Sequence, residues 1–174
     1  MSDIYYFCED TCRIMKQNEI QIHYEEYGSI DELVPEDREL AGEAVLAMQN
    51  AYAPYSHFHV GAAVRMSNGQ IVRGANQENA AFPSGLCAER TAMFAASARY
   101  PDKDMRSIAL AGGVYGRLAE QPATPCGACR QVMAQYQTKA GKPMSVIMIG
   151  AHKVWKLEKV DDILPLIFDS LTVS

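Results

Sequence analysis

Apolar residues recur along this chain with two alternating periods, and the switches between them predict a mixed α/β domain. From Pro35 to about Asn50, Leu40, Ala44, Ala47 and Met48 fall on one helical face, and Pro35 with Glu36 and Asp37 makes a favourable first turn. His59 to Met66 reads as a strand, Asn68-Gly69 as a tight turn, and Ile71 to Ala75 as its hairpin partner. Residues 86–99 are rich in alanine, hold no internal Gly or Pro, and read as a helix. Arg106 to Gly112 and Met144 to Ile149 are apolar runs bounded by turn residues, which predicts buried strands. Between them lie a loop, Leu118 to Thr124, and a helix over 127–138 that ends before Gly141. Val154 to Leu157 reads as a short edge strand, and Asp161 as the cap of a last helix, Asp162 to Leu171, interrupted early by Pro165.

A hairpin followed by strands alternating with helices predicts a three-layer α/β/α fold, with a mixed sheet of about five strands and helices on both faces. That domain spans residues 35–174. Residues 1–34 precede it as an extension. In the extension Glu19-Ile20-Gln21-Ile22-His23-Tyr24 alternates apolar and polar, a strand signal, while residues 5–16 fit helix, strand or disorder equally. The extension is either an oligomer contact or an added sheet edge. There is no internal repeat and no low-complexity tract.

A length of 174 residues, with 48% apolar and 21% charged positions, fits one ordinary globular domain. The net charge of −5, with no Lys/Arg run, argues against a nucleic-acid partner. No segment has the apolar length of a membrane span, and the first ten residues lack the basic start and apolar core of a signal peptide. Five cysteines give no disulfide framework, so the expected compartment is the reducing cytoplasm, with Cys8 and Cys12 as free thiols.

The chemistry concentrates in Cys87-Ala88-Glu89 and the distant Pro125-Cys126-Gly127-Ala128-Cys129. Three sulfur ligands beside a carboxylate suit a catalytic zinc, which takes three protein ligands and keeps a position for water. Three thiolates on a divalent cation leave a net charge of about −1 by addition, which opposes activation of that water. Two features offset it: both cysteine motifs open helices, whose first turns are positive, and Arg90 stands beside the site as a donor to sulfur. A Cys-x-x-Cys pair alone also fits a redox dithiol or a structural metal knuckle. The redox reading leaves Cys87, Glu89 and Pro125 without a role, and the structural reading needs a fourth ligand from His57, His59, Cys8 or Cys12.

With Tyr55-Ser56-His57-Phe58-His59-Val60-Gly61-Ala62-Ala63 and Asn76-Gln77-Glu78-Asn79-Ala80-Ala81-Phe82-Pro83 added to the two cysteine motifs, the chain resembles the cytidine deaminase family from about Pro35 to Trp155. The resemblance implies one Zn2+ per subunit on Cys87, Cys126 and Cys129, with Glu89 as the proton shuttle of a hydrolytic deamination of cytidine and deoxycytidine. It implies that Asn76 and Glu78 bind the ribose 3′-hydroxyl, that Phe58 packs on the pyrimidine, and that the backbones of Ala88 and Pro125 read the base edge. Arg90 would neutralise ligand sulfur. It also implies a homotetramer in which Phe168 reaches an adjacent site. Phe82 stands where the family usually has a tyrosine that touches the sugar of a neighbour's substrate, so here the ring is kept and the hydroxyl lost. Read from residue types alone, Asn76 and Glu78, two apart after a strand-like run, would face one side and suit a sugar diol. The competing readings are a relative acting on a non-nucleoside cytosine compound of the blasticidin type, and a non-catalytic zinc module.

Overall fold

A computed structural model describes residues 17–168 of the chain. Its sheet has six strands in the order β1-β6-β5-β4-β2-β3. They are β1 (Glu25–Tyr27), β2 (Phe58–Met66), β3 (Ile71–Ala75), β4 (Met105–Val114), β5 (Ser145–Ile149) and β6 (Val154–Leu157). Only β4 and β5 run parallel; every other neighbouring pair is antiparallel. Three helices cover the sheet: α1 (Pro35–Ala47), α2 (Ala88–Arg99) and α3 (Gly127–Ala140).

The two faces of the sheet are sorted by side-chain parity. Along β4, Ile108 and Leu110 join Met93, Met133 and Val146 in the core beneath α2 and α3. Ala109 and Ala111 turn the other way and pack with Leu40, Ala44 and Ile147 beneath α1. Small residues let α1 and α2 come close. A Cβ at Gly61 would sit 2.2 Å from the Ala44 carbonyl oxygen, and one at Gly74 would sit 2.3 Å from the Ala92 nitrogen. Both glycines are therefore fixed by backbone approach.

Two expectations are corrected. The sheet has six strands, and the sixth comes from the extension, although not from residues 19–24. Ile20, Ile22 and Tyr24 are exposed, and the strand forms at Glu25–Tyr27, pairing with Lys156, Trp155 and Val154. The reason is the partner: β6 is four residues long, so pairing ends before the alternating run, of which Tyr24 alone reaches back, onto the Trp155 ring at 5.6 Å. Among the described residues the last helix is replaced by one 3-10 turn, Val160–Asp162. Pro165 disfavours helical backbone at Leu164 and supplies no N–H to continue. Residues 169–171 of that expected helix, residues 5–16, and Cys8 and Cys12 lie outside the described residues.

Candidate active site

The site forms where α2 and α3 begin, beside the ends of β2 and β3. Cys87 is the N-cap of α2 and Cys126 the N-cap of α3, so both helix N-termini meet at the sulfurs. Cys129 lies one turn into α3 and is fully buried. The Cys87 and Cys126 sulfurs are 3.8 Å apart, those of Cys126 and Cys129 3.4 Å, and all three lie within 4.8 Å of one another. Tetrahedral zinc with Zn–S near 2.3 Å separates its sulfurs by about 3.8 Å. The donor set thus fits zinc in both chemistry and spacing, and among the described residues no fourth His, Cys or carboxylate joins the cluster.

The charges around the sulfurs are arranged for thiolates. The Cys129 thiol donates to Cys87 and pulls its pKa down to about 5, with further help from Arg90 and Cys126. Cys129, which holds the proton in that pair and is buried, is pushed up. Arg90 Nη2 donates to Cys87 Sγ at 3.7 Å, which raises the arginine in turn. Arg90 Nε is buried without a partner among the described residues. Glu89, in the first turn of α2, is only 4% exposed. Loss of water raises its carboxyl above the ordinary carboxylate range, and the negative charge on Cys87 adds to the effect.

A cavity of about 650 Å³ opens in front of Glu89, walled by Phe58, Asn76, Glu78, Phe82, Ala88 and Arg90. Of the expected substrate residues, Phe58, Asn76, Glu78 and Ala88 converge here, with one exception. Pro125 is not on the wall, although Thr124 and Cys126 on either side of it are, and its carbonyl accepts from Arg130 Nε at 2.8 Å. Phe168 is 65% exposed and does not line this cavity. Phe82 is 75% exposed and meets the Tyr55 ring edge-on at 5.7 Å.

Asn76, Gln77 and Glu78 all line the cavity, and the Gln77 backbone also pairs with Tyr52 and Leu86. The Asn76 amide is held rigid: Oδ1 accepts from Val60 N–H at 2.8 Å and Nδ2 donates to the Phe58 carbonyl at 2.9 Å. Glu78 accepts from the backbone N–H groups of Tyr55 and Ser56, at 2.8 and 3.2 Å, and from the Ser56 hydroxyl. The hydroxyl contact, followed by the backbone ones, holds its pKa below the ordinary value. Asn76 keeps one acceptor lone pair and one N–H, and Glu78 keeps one acceptor position.

Sequence reasoning missed Ser56, which fixes Glu78 and also accepts from Phe58 N–H at 3.0 Å. The signal was available, since a serine just before a strand is a common local turn former. It also missed Arg130, which ties the Pro125 carbonyl to that of Ile163 through Nη1 at 3.0 Å. Nothing local marks that pairing.

The family model for the cytidine and deoxycytidylate deaminase zinc-binding region matches residues 35–142. The chain is similar to the cytidine deaminase of Halalkalibacterium halodurans, at 47% identity over 96 residues, covering 55% of this chain and 68% of that protein. It is similar to that of Sporosarcina psychrophila at 41% over 97 residues, covering 56% and 67%. Among solved structures it resembles the cytidine deaminase of Burkholderia pseudomallei with a TM-score of 0.63 and 36% identity, over 75% of this chain and 97% of the other. The matched span runs from α1 through α3 and contains the three sulfurs and Glu89. The chain belongs to the cytidine and deoxycytidylate deaminase zinc-binding family.

Proposed function

We propose that this protein is a zinc-dependent hydrolase that converts cytidine and deoxycytidine, with water, to uridine and deoxyuridine plus ammonia. The observation that carries the proposal is a buried carboxyl of raised pKa, Glu89, set between a triangle of three cysteine sulfurs and a cavity sized for a nucleoside. Cys87, Cys126 and Cys129 hold the metal. When bound, it supplies the Lewis acidity that lets water react near neutral pH.

Glu89 does the proton work. Its carboxylate takes a proton from the attacking water, hands it to N3 of the pyrimidine, and then carries the second water proton to the departing amine. Burial suits this duty, because a raised pKa makes the carboxylate a stronger base toward the water proton while leaving the carboxyl acidic enough to protonate N3 and the departing amine. Arg90 and the two helix N-termini offset the excess negative charge of the thiolates. Phe58 packs on the base, and the Ala88 and Pro125 backbones read its edge. Asn76 and Glu78 use their free positions on the sugar 3′-hydroxyl. Arg130, already on the Pro125 carbonyl, leaves that oxygen one lone pair for substrate.

The same reading takes residues 35–174 as the catalytic unit and 1–34 as an extension. It makes the protein a homotetramer serving pyrimidine salvage, with Phe82 and Phe168 as contacts to neighbouring subunits. The large exposed rings of both residues support that part. Location in the reducing cytoplasm follows from the need to keep three thiols reduced. The test is Glu89→Gln, with zinc stoichiometry measured beside ultraviolet assays on cytidine, deoxycytidine, cytosine and blasticidin S. Zinc content should be unchanged, while turnover of the two nucleosides falls by about 10²- to 10⁴-fold. Near-normal turnover in the variant, or faster wild-type turnover of cytosine or blasticidin S, would remove the assignment.

A further inference from the structure

Two residues outside the cavity wall adopt a backbone that L-residues avoid. Among the described residues, His57 (φ +56°) and Tyr115 (φ +53°) are the non-glycine residues in the left-handed region. They are partners. Their rings stack with centroids 5.0 Å apart and planes 22° apart, and the Tyr115 N–H donates to the His57 carbonyl at 2.8 Å.

Each position invites a different residue. Tyr115 and Gly116 (φ +74°) are the central pair of a tight turn closed by Arg117 N–H on the Val114 carbonyl at 3.1 Å. Positive φ at both central positions is the turn in which Asn-Gly is favoured. His57 ends a one-turn coil in which its N–H donates to the Ala53 carbonyl at 3.0 Å, a place where Gly or Asn is the easy choice. A ring at each site costs backbone energy that glycine or asparagine would not. Strained residues persist where the surroundings over-determine them, and they gather at functional sites. The feature that the two rings share is the stack.

The location shows what the stack holds. His57 separates Ser56 from Phe58, and both neighbours line the cavity while His57 does not. On one side of it, Tyr55 N–H, Ser56 N–H and the Ser56 hydroxyl grip Glu78. On the other, the Phe58 carbonyl accepts from Asn76 and Phe58 pairs with Val114, the residue before Tyr115. The segment therefore carries the backbone partners of both sugar-facing side chains, and the turn after β4 is what it is stacked against.

We propose that His57 and Tyr115 form a clasp that fixes the Tyr55–Phe58 segment over Glu78 and Asn76, and so sets affinity for the sugar end of the substrate. They are positioning residues and touch no reacting atom. The proposal rests on the reading above that Glu78 and Asn76 bind the sugar.

The test separates ring from backbone. His57→Asn and Tyr115→Asn each keep a residue at ease with positive φ and remove one ring, while Tyr115→Phe keeps the ring. With cytidine, each Asn variant should raise KM about tenfold, equivalent to about 1.4 kcal/mol, with kcat within about twofold of wild type. The double Asn variant should be no worse than either single one, since all three break one stack. Tyr115→Phe should match wild type. With 3′-deoxycytidine the Asn variants and wild type should have equal KM. Amide exchange at Tyr55 and Ser56 should quicken in the Asn variants and stay unchanged in Tyr115→Phe.

Wild-type KM in the Asn variants, losses that add in the double variant, or equal loss in Tyr115→Phe would overturn the clasp. So would unchanged exchange at Tyr55 and Ser56, a readout that involves no substrate. Failure of the sugar reading looks different: Glu78→Gln would then weaken cytidine no more than 3′-deoxycytidine, while the exchange result still decides whether the clasp exists.

Discussion

Gly112 lies behind the cavity wall, and its missing side chain sets where the Phe58 ring can rest. It sits in β4 opposite Val60 of β2. A Cβ there would be 3.1 Å from the Ala123 Cβ, 3.1 Å from Phe58 Cε1 and 3.3 Å from Val60 Cγ2. These separations are about half an ångström inside the best carbon–carbon distance. All three neighbours are side-chain atoms, so Gly112→Ala should fold, with the wall displaced toward the cavity. Overpacking costs about 1–3 kcal/mol, and alanine returns about 0.5–1 kcal/mol by restricting the unfolded chain. A net loss of about 1–2 kcal/mol lowers Tm by about 3–6 °C in a chain of this size. On the functional side, moving one aromatic edge by about half an ångström forfeits much of an aromatic contact worth about 0.5–1.5 kcal/mol. KM for cytidine should therefore rise about fivefold, with kcat changed less.

The assay is steady-state ultraviolet kinetics beside thermal melts, repeated in a Phe58→Leu background. There the alanine should add little further loss, because the ring it displaces is gone. Gly42→Ala is the control: it lies in α1, on the other face of the sheet, and a Cβ there meets nothing within 4 Å. It should gain about 0.5–1 kcal/mol of stability and leave kinetics alone. The reasoning fails if Gly112→Ala loses stability yet binds cytidine as wild type does, or if its KM defect is undiminished in the Phe58→Leu background.

Two further predictions follow from burial. Glu89 has a folded pKa above its unfolded value, so the stability it carries is present below the unfolded pKa, near 4.3, and is lost as pH rises through the folded value. In chelated, metal-free protein, Glu89→Gln should therefore equal wild type in urea melts near pH 4 and exceed it increasingly toward neutrality; a pH-independent difference would refute the burial argument. Gln137 accepts from Met144 N–H at 3.1 Å and Val160 N–H at 2.9 Å, and donates to Asp161 at 2.7 Å. Gln137→Ala orphans two half-buried amides and should cost about 2–4 kcal/mol with unchanged KM, whereas a loss below about 0.5 kcal/mol would show that water replaces the glutamine.

The parts of the fold that could be read from residue order were those governed by local rules. Cys87 and Cys126 both begin helices, because each precedes a run free of Pro and of internal Gly, and β6 spans the expected Val154–Leu157. The alternation at residues 19–24 suggested a strand that does not form there, because pairing needs a partner and β6 offers only four residues. The expected last helix put the pattern of apolar residues above the geometry of Pro165, and the geometry prevailed.

The site shows the same division more sharply. Residue type and spacing pointed to the sulfurs and Glu89, whereas Asn76 and Glu78 were singled out by the family resemblance, their residue types being only compatible with a sugar diol. What each can still do depends on bonds already made by distant residues. Asn76 is informative as an amide in the sequence, but both ends of that amide are engaged by the backbone of β2, 16 and 18 residues earlier. It therefore meets a ligand as a fixed pair of remaining positions and not as a freely turning side chain. Glu78 is likewise held charged and oriented by Tyr55 and Ser56, 23 and 22 residues away. Binding a nucleoside then costs little ordering of the protein's own groups. That saving depends on whatever keeps the Tyr55–Phe58 segment still, and the rings of His57 and Tyr115, neither of them on the cavity wall, are placed to do so.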